Sequence, residues 1–239
     1  MVDVFAHRGV HYKERENTLA SFAAAVVLGV DGVELDVRET LDGELVVHHD
    51  PAADGLIISQ TNARNLPSYI PSLADAVNVL VGLTINVEIK NSRTPTEPTY
   101  DETGDVARRV VTALHDVGRT ERFIITCFDL ATCAIVRSFD RDINVGWLVW
   151  DVDLGSAFVQ AHVLGLNAVN PHFSLVTNEA MRKANELQLD VNVWTVNASS
   201  DIAAMANLEV ASVITDDPAL ARDVLANLVG QPPVSDALD

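Results

Sequence analysis

The chain has 239 residues, and its 34 acidic and 16 basic residues give a formal charge of −18 at pH 7. Hydrophobic residues make up 48% and charged residues 21% of the total, which is typical of a soluble globular protein with one large core or two small ones. The acidic balance opposes binding to nucleic acid and stable association with an anionic membrane, because both need a basic surface.

The sequence carries no pattern that indicates export or membrane insertion. The N-terminal stretch MVDVFAHRG lacks the basic and apolar regions of a signal peptide. The longest apolar stretch, residues 20–30, is interrupted by Ser21 and Gly29 and is too short to cross a bilayer. The two cysteines, Cys127 and Cys133, lie in apolar surroundings, where small buried thiols are common. We therefore expect a cytoplasmic protein.

Short β-branched segments alternate with Ala- and Leu-rich amphipathic segments along the whole chain. Strands are predicted at residues 2–6, 32–37 with a companion at 45–48, 83–89, 123–126, 143–148, 168–170, 191–196 and 212–215. Helices are predicted at residues 18–28, 73–80, 104–117, 130–138, 154–164, 178–189, 200–208 and 218–228. The pattern is a series of β-then-α units.

Residues that favour helix ends lie where several of these helices begin and end. Ser72 and Asp129 each precede a predicted helix and offer a side-chain oxygen to its first N–H groups. Asp217 does the same before Pro218, whose missing N–H costs nothing at the first helical position. Gly29 follows the first helix, where a residue that accepts positive φ is favoured.

Eight β-then-α units in a chain of this length predict a (β/α)8 TIM barrel of the α/β class. We predict a single domain over residues 1–230, with a short loop insertion after the second strand, and a flexible polar tail over residues 231–239. A doubly wound open sheet is the alternative, but no Gly-x-Gly-x-x-Gly turn follows the first strand.

Polar side chains capable of chemistry concentrate at the ends of the first strands, and a barrel places its site at such C-terminal ends. These residues are His7, Arg8, Glu34, Asp36, His48, His49, Glu88 and Lys90. Later strands end near Cys127 and Trp194, which we predict to lie in the substrate pocket.

Three carboxylates predict a metal site. Glu34 and Asp36 are two apart on one strand, so both side chains point to the same face and repel unless a cation or a proton separates them. Glu88 on the next strand can supply a third oxygen ligand, and an all-oxygen set suits one Mg²⁺ or Ca²⁺ ion. The structural alternative is that Glu34 and Asp36 only form ion pairs with Arg38 or Lys90.

Histidines and cations at the same strand ends complete the candidate site. Two imidazoles can act as acid and base near neutral pH, and His7 pairs in this role with either His48 or His49, because adjacent strand residues face opposite ways. Arg8 can hold phosphate oxygens bidentately, and Lys90 can add a point charge. We interpret the remaining histidines as surface or loop residues: His11, His115, His162 and His172.

An ordered set of motifs resembles the glycerophosphodiester phosphodiesterase family. HRG at 7–9, EN at 16–17, E-x-D at 34–36, T-x-DG at 40–43 and HDP at 49–51 are similar to the first half of the family pattern. PSL at 71–73, NVEIK at 86–90, WTVN at 194–197 and ITDDP at 214–218 are similar to the rest. The resemblance implies a (β/α)8 barrel and metal-dependent hydrolysis of glycerophosphodiesters to an alcohol and glycerol phosphate.

The resemblance also implies a role for individual residues. His7 and His49 match catalytic histidines, with His48 facing away from the site or lining its rim. The metal ligands it implies are Glu34, Asp36 and Glu88, and the phosphate-binding residues are Arg8 and Lys90. Residues 52–66 depart from the family's usual Arg-Thr-Thr stretch, and Cys127 stands where serine is usual. Both departures bear on the choice of headgroup alcohol.

Three other functions are the alternatives. A lysophospholipase D-like or sphingomyelinase D-like lipid phosphodiesterase needs an apolar channel or a membrane-binding surface. A non-catalytic phosphate-binding barrel needs no pair of acid–base histidines. A phosphosugar aldolase or isomerase usually places its phosphate site late in the barrel. A small-molecule glycerophosphodiester is therefore the expected substrate.

Overall fold

A closed sheet of parallel strands forms the centre of the molecule. The computed structural model describes residues 2–94, 97 and 99–229. In this part of the chain the strands are β1 (Asp3–His7), β2 (Gly32–Glu39), β3 (Leu45–Val47), β4 (Ala52–Ala53), β5 (Leu56–Ile57), β6 (Thr84–Ile89), β7 (Phe123–Cys127), β8 (Asn144–Val149), β9 (Ala168–Pro171), β10 (Asp190–Val193) and β11 (Ser212–Thr215). Nine of them pair in the order β1-β11-β10-β9-β8-β7-β6-β2-β3, and β1 also pairs with β2, whereas β4 and β5 pair only with each other. That last pairing closes eight parallel strands into a barrel.

Helices connect the parallel strands and surround the barrel. Within the described residues they are α1 (Leu19–Leu28), α2 (Leu73–Val79), α3 (Asp105–Val117), α4 (Leu130–Phe139), α5 (Leu154–Val163), α6 (Asn178–Glu186), α7 (Ser199–Asn207) and α8 (Pro218–Val229). This arrangement confirms the predicted (β/α)8 barrel. A doubly wound sheet is open and ends in two edge strands, whereas here β1 pairs with both β2 and β11 and the ring of parallel strands is closed.

The core has two layers because each barrel strand is covered on both faces. Seven of the eight residues of β2 are buried, as a strand with the barrel interior on one side and helices on the other requires. Phe22 of α1 and Phe158 of α5 have no exposed surface and fill the space between helices and barrel. Their burial fixes the helices, and the helices in turn hold the strand ends at one rim.

The predicted helix starts are supported by the observed caps. The side chain of Ser72 accepts from the N–H of Asp75, and that of Asp129 accepts from the N–H of Thr132. The clearest difference in length is α6, which ends at Glu186, three residues before its predicted end. Gln188 adopts a φ of +56° there, which turns the chain out of the helix.

The connection after β3 contains structure that the sequence did not predict. β4 and β5 form a two-residue hairpin, and two short 3-10 helices follow at Ile58–Gln60 and Ala63–Asn65. The predicted flexible tail at 231–239 lies outside the described residues, as do residues 1 and 230, so the domain boundaries stay predictions. None of the described helices has the length and apolar character that a membrane span requires.

Candidate active site

A cavity of about 260 Å³ opens at the C-terminal ends of the barrel strands. Its charged and imidazole-bearing lining comprises six of the predicted site residues: His7, Arg8, Glu34, His49, Glu88 and Lys90. The rest of its wall comes from β6, from later strands and from the residues after them: Asn86, Thr126, Phe128, Leu148, Trp150, Trp194, Thr195 and Ile214. The cavity therefore has one polar, ionisable side and one largely apolar side.

Three carboxylates converge at the polar side of the cavity. Glu34, Asp36 and Glu88 each offer one oxygen, and these oxygens lie within 4.8 Å of one another. Alternation along β2 places Glu34 and Asp36 on one face, and the β2–β6 register sets Asp36 opposite Glu88. Glu34 is 4% and Asp36 is 1% exposed, so water screens their repulsion poorly.

Two cations partly neutralise these carboxylates. Lys90 Nζ lies 2.7 Å from Glu88 Oε1 and 3.3 Å from Asp36 Oδ1. Arg8 Nε lies 3.3 Å from Asp36 Oδ2. The structural alternative, in which Glu34 and Asp36 pair with Arg38 or Lys90, is thus present among the described residues for Asp36 with Lys90, and Glu88 also pairs with Lys90. Neither Glu34 Oε1 nor Asp36 Oδ1 has a hydrogen-bond partner, although both are buried. Glu34 differs because Asp36 Oδ1 still forms an ion pair with Lys90, whereas Glu34 Oε1 has no such pair.

The electrostatics of the cluster fit a divalent cation. Burial raises the pKa of Glu34 well above its ordinary value, and the carboxylates of Asp36 and Glu88 raise it further. Burial also disfavours the charged form of Asp36, but Lys90 and Arg8 outweigh it and hold the pKa of that carboxyl below its usual range. The unpartnered oxygen of Glu34 and the all-oxygen donor set are what a hard ion such as Mg²⁺ or Ca²⁺ needs.

The turn after β1 explains why the motif HRG occurs at residues 7–9 and EN at residues 16–17. Arg8 and Gly9 both have positive φ, +57° and +84°, and a Cβ on Gly9 would lie 2.5 Å from Ser21 Oγ. Arg8 donates to Glu16 at 2.8 Å, and Asn17 donates to Asp36 at 2.7 Å. The segment before α1 therefore holds one phosphate-binding candidate and one candidate metal ligand.

His7 is held by a carboxylate from the last strand end. Its Nδ1 atom lies 2.6 Å from Asp216 Oδ1, and its Nε2 atom lies 3.8 Å from Glu34 Oε2. Asn197 donates to the other oxygen of Asp216 at 2.7 Å. Burial opposes ionisation of Asp216, but hydrogen bonds from His11 and His7 outweigh it and lower the pKa of that carboxyl. An ionised carboxylate only accepts, so the His7 proton sits on Nδ1 and leaves Nε2 as the base.

No role was predicted for Asp216 from the sequence. His11 lies in the loop before α1, as interpreted, but it is partly buried and its Nε2 atom lies 3.4 Å from Asp216 Oδ1. The ITDDP motif, at the end of a strand that must border β1 in a closed barrel, was the signal that could have identified Asp216. His115 and His162 are surface residues, as interpreted.

His49, and not His48, lines the cavity. The Nδ1 atom of His49 lies 2.8 Å from Asp50 Oδ1, which favours the same tautomer as in His7. His48 packs instead against Tyr69, with 6.4 Å between ring centroids, and burial lowers its pKa. The two rings therefore face different surroundings, as alternation along the chain requires.

Aromatic side chains form the apolar side of the cavity. Trp194 packs against Phe128 and Trp150, with ring centroids 5.4 Å and 5.3 Å apart. His172, interpreted from the sequence as a surface or loop residue, packs against Trp150 at 4.4 Å. Trp150 is 58% exposed and forms part of the rim. The predicted position of Trp194 agrees with this lining.

The prediction that Cys127 lies in the substrate pocket differs from the structure. Cys127 is 1% exposed and is not part of the cavity wall, whereas its neighbour Thr126 is. Adjacent residues of β7 point to opposite faces, so Cys127 faces the helix layer when Thr126 faces the barrel mouth. Burial raises the pKa of the Cys127 thiol to about 12, which leaves it protonated and unreactive at neutral pH.

Comparison with known proteins points to one family. The family model described as "Glycerophosphoryl diester phosphodiesterase family" matches residues 7–69 and 53–220. A glycerophosphodiester phosphodiesterase from Caldanaerobacter subterraneus subsp. tengcongensis is 26% identical over 245 residues, which cover 95% of this chain and 97% of that protein.

Solved structures share the fold over nearly the whole chain. A glycerophosphodiester phosphodiesterase from Parabacteroides distasonis superposes with a TM-score of 0.85 at 22% identity, covering 95% of this chain and 98% of the other. A phosphodiesterase from Oleispira antarctica, solved in complex with the product sn-glycerol-3-phosphate, superposes with a TM-score of 0.83 at 22% identity and covers 94% and 96% of the two chains. At these identities the likeness concerns the fold.

Proposed function

This chain belongs to the glycerophosphoryl diester phosphodiesterase family and is a phosphoric diester hydrolase. We propose that it cleaves small glycerophosphodiesters to an alcohol and glycerol phosphate, and that one divalent ion and two histidines carry out the reaction. One observation carries the proposal. Two imidazoles, each with its Nδ1 atom on a carboxylate, line the same cavity as Glu34 and Glu88, two members of the three-carboxylate cluster, and Glu34 Oε1 is buried without a hydrogen-bond partner.

Arg8 and Lys90 are the groups that bind the phosphate of the substrate. Both line the cavity, and both already sit against carboxylates, which fixes their positive ends at its polar side. The guanidinium of Arg8 can donate two parallel hydrogen bonds to phosphate oxygens, whereas Lys90 contributes a point charge. The net charge of −18 on the chain repels an anionic diester, and the two cations counter this repulsion at the cavity.

Glu34, Asp36 and Glu88 would hold the metal ion, which can be Mg²⁺ or Ca²⁺. With the ion bound, all three carboxylates would be ionised, and beside Arg8 and Lys90 they would leave one net negative charge to offset part of the ion's charge. When bound, the ion supplies Lewis-acid stabilisation of charge on a phosphoryl oxygen. The hydrogen bond from Asn17 and the ion pair with Lys90 keep Asp36 in place for this role.

The two histidines move the protons. With Nδ1 bonded to a carboxylate, each ring leaves Nε2 free for the reaction, in the neutral form as a base and in the charged form as an acid. One imidazole accepts the proton of the attacking hydroxyl while the other protonates the departing alcohol oxygen. Asp216 stabilises the charge that His7 acquires, and the apolar wall around Trp194 limits access of water from the other side.

A lysophospholipid phosphodiesterase is the second candidate function, and one observation favours it. Trp150 is 58% and Phe128 is 39% exposed at the rim of the cavity, where they could contact an acyl chain. Parallel assays with glycerophosphocholine and lysophosphatidylcholine separate the two functions. We expect faster turnover of glycerophosphocholine, because the aromatic cluster is a few side chains wide and the chain has a strongly acidic surface.

Alanine variants of the two histidines test the proposed chemistry. His7→Ala and His49→Ala should each lower turnover of a glycerophosphodiester by roughly 10²- to 10⁴-fold, because each removes one proton-transfer group. Circular dichroism should show the same fold, since neither ring belongs to the buried core.

The matched control is His162→Ala, which removes an exposed imidazole on α5. It should leave turnover unchanged. Full activity in either the His7 or the His49 variant would disprove the assigned roles. Binding of diesters without turnover by the unaltered protein would instead indicate a phosphate-binding barrel.

A further inference from the structure

Arg38 holds the backbone of His49 from a buried position behind the active-site cavity. Its Nε and Nη2 atoms both donate to the carbonyl oxygen of His49, at 2.9 Å and 2.5 Å. The Arg38 side chain is 8% exposed and does not line the catalytic cavity. The guanidinium therefore contacts the peptide of a proposed catalytic residue without reaching the substrate.

Glu97 fixes the guanidinium of Arg38 in turn. Its two carboxylate oxygens each accept one hydrogen bond, from Arg38 Nη1 and Nη2, both at 2.8 Å. The Glu97 side chain is 10% exposed. A bidentate, buried pair of this kind sets the plane of the guanidinium, and the plane determines where the remaining N–H groups point.

The three residues come from three separate segments. Arg38 lies on β2, two residues after Asp36, and His49 follows β3. Glu97 lies in the connection between β6 and α3, which contains no regular secondary structure among its described residues. Arg38 is thus the point through which that connection contacts the peptide of His49.

The ring of His49 has a weak anchor of its own. It contacts Asp50, whose side chain is 71% exposed, and the His49 side chain itself is 36% exposed. A hydrogen bond to so exposed a partner competes with water and restrains the ring poorly. The backbone carbonyl, held by a buried guanidinium, is the firmer restraint on where the Cβ atom and the ring stand.

We propose that Arg38 and Glu97 are positioning residues for His49, so that the connection between β6 and α3 sets the rate of the chemical step without touching the substrate. The inference rests on the proposed catalytic role of His49. Its physical basis is that a displacement of about 1 Å in a reacting group can cost on the order of 10²-fold in rate. Glu97 acts two contacts away from the ring.

Two conservative variants test the inference by steady-state kinetics. Glu97→Gln keeps the shape but places an amide N–H₂ against the guanidinium, and Arg38→Lys keeps the charge but cannot donate to His49 and Glu97 in the same fork. Each should lower kcat by about 10- to 100-fold, as expected for a misplaced proton-transfer group. KM should change less than twofold, because Arg8, Lys90 and the carboxylates are untouched.

Glu102→Gln is the matched control on the same connection. Glu102 pairs with Arg93 at 3.2 Å, and both side chains are about two-thirds exposed, at 71% and 66%. Removal of this exposed pair should leave kcat and KM unchanged. Equal losses in the Glu97 and Glu102 variants would show that the connection responds to any lost charge, and would overturn the inference.

A nuclear magnetic resonance readout separates this inference from the proposed function. The ring Cε1–H signal of His49, assigned with the His49→Ala variant, should move in Glu97→Gln and in Arg38→Lys but not in Glu102→Gln. An unmoved signal with wild-type kcat overturns the positioning role, whatever the substrate. If Arg38→Lys does not fold, Glu97→Gln decides alone. If the unaltered protein turns over no diester at all, the proposed function is refuted, and the His49 signal in the variants still tests the positioning role.

Discussion

At the residue scale, the side chains of the site act through partners that fix their protonation and direction. Asp216 holds the Nδ1 proton of His7 and is held in turn by Asn197. Asp36 is held in the same way, by a hydrogen bond from Asn17 and an ion pair with Lys90. Removal of such a partner leaves the reacting group present but with its charge less well stabilised, so the effect is on rate.

Asp216→Asn is the residue-scale prediction. The amide can still accept from His7 Nδ1, but it cannot stabilise the imidazolium that forms during turnover, so kcat should fall by roughly 10²-fold. Asp217→Asn is the control, because Asp217 only receives the Tyr12 hydroxyl and the N–H of Leu220, and asparagine also caps helices well. Steady-state kinetics at pH 7 would compare the two. Wild-type kcat in Asp216→Asn would rule out a role for this carboxylate.

What the sequence predicts at this scale depends on how local the signal is. Glu34 and Asp36 could be placed on one face because strand alternation is a local rule. The alternation also predicts that only one of His48 and His49 faces the cavity, and the structure shows that it is His49. Cys127 was wrongly placed in the pocket because the phase of β7 relative to the barrel interior cannot be derived from the strand alone.

At the element scale, connections after the strands carry the functional side chains and need their own anchors. The connection before α3 is anchored by Asp101, whose carboxylate accepts from the N–H groups of Thr103, Gly104 and Val106. The same connection carries Glu97. A stable start of α3 therefore helps to fix the path of the connection from which Glu97 contacts Arg38.

Removal of the Asp101 carboxylate gives the element-scale prediction. The N-cap residue of α3 is Gly104, and Asp101, three residues earlier, caps the helix from outside by accepting from the N–H of Val106. Asp101→Ala should lower the free energy of unfolding by about 1 kcal/mol at pH 7, as does the loss of other side-chain acceptors of the first helical N–H groups. Burial alone would raise the pKa of Asp101, but the hydrogen bonds from Thr103 and from three backbone N–H groups outweigh it and lower the pKa. The folded state therefore binds this proton less readily than the unfolded state.

The sign of the pH dependence follows from that lowered pKa. The stabilisation is present above the ordinary aspartate pKa of about 3.9 and is lost as the pH falls below it through the folded-state value. The stabilities of the wild type and of Asp101→Ala, measured by urea unfolding, should therefore differ at pH 7, and the difference should shrink as the pH falls below about 3.9. A difference that stays constant with pH would contradict this account of the cap. Glu102→Ala, an exposed neighbour, is the control.

Helices and strands of this fold were predictable because each has a local cause. Ser72 and Asp129 cap helices at the predicted places, and β11 coincides with its predicted range. The hairpin of β4 and β5 was not predicted, since each strand has only two residues and no alternation can be read from so few. The position of Glu97 likewise depends on a connection without periodicity, and among the described residues it is held by its pair with Arg38 and by a backbone hydrogen bond to Thr94.

At the scale of the whole molecule, closure of the barrel assembles the site. β1 pairs with both β2 and β11, so His7 lies between Glu34 from one neighbouring strand and Asp216 from the end of the other. These residues are far apart in the sequence, and 209 positions separate His7 from Asp216. The sequence predicts the barrel from its eight repeated units, but only the closed sheet shows which strand ends become neighbours.

The most direct test of the account is turnover by metal-stripped protein. After EDTA treatment and its removal, the protein should not release glycerol phosphate from glycerophosphocholine, as measured by ³¹P nuclear magnetic resonance, and Mg²⁺ or Ca²⁺ should restore the activity. Glu34→Gln should not recover with either ion at the same concentrations, because it removes one of the three clustered carboxylates. Full turnover by the stripped protein, or by Glu34→Gln, would contradict the metal-dependent hydrolysis proposed for this chain.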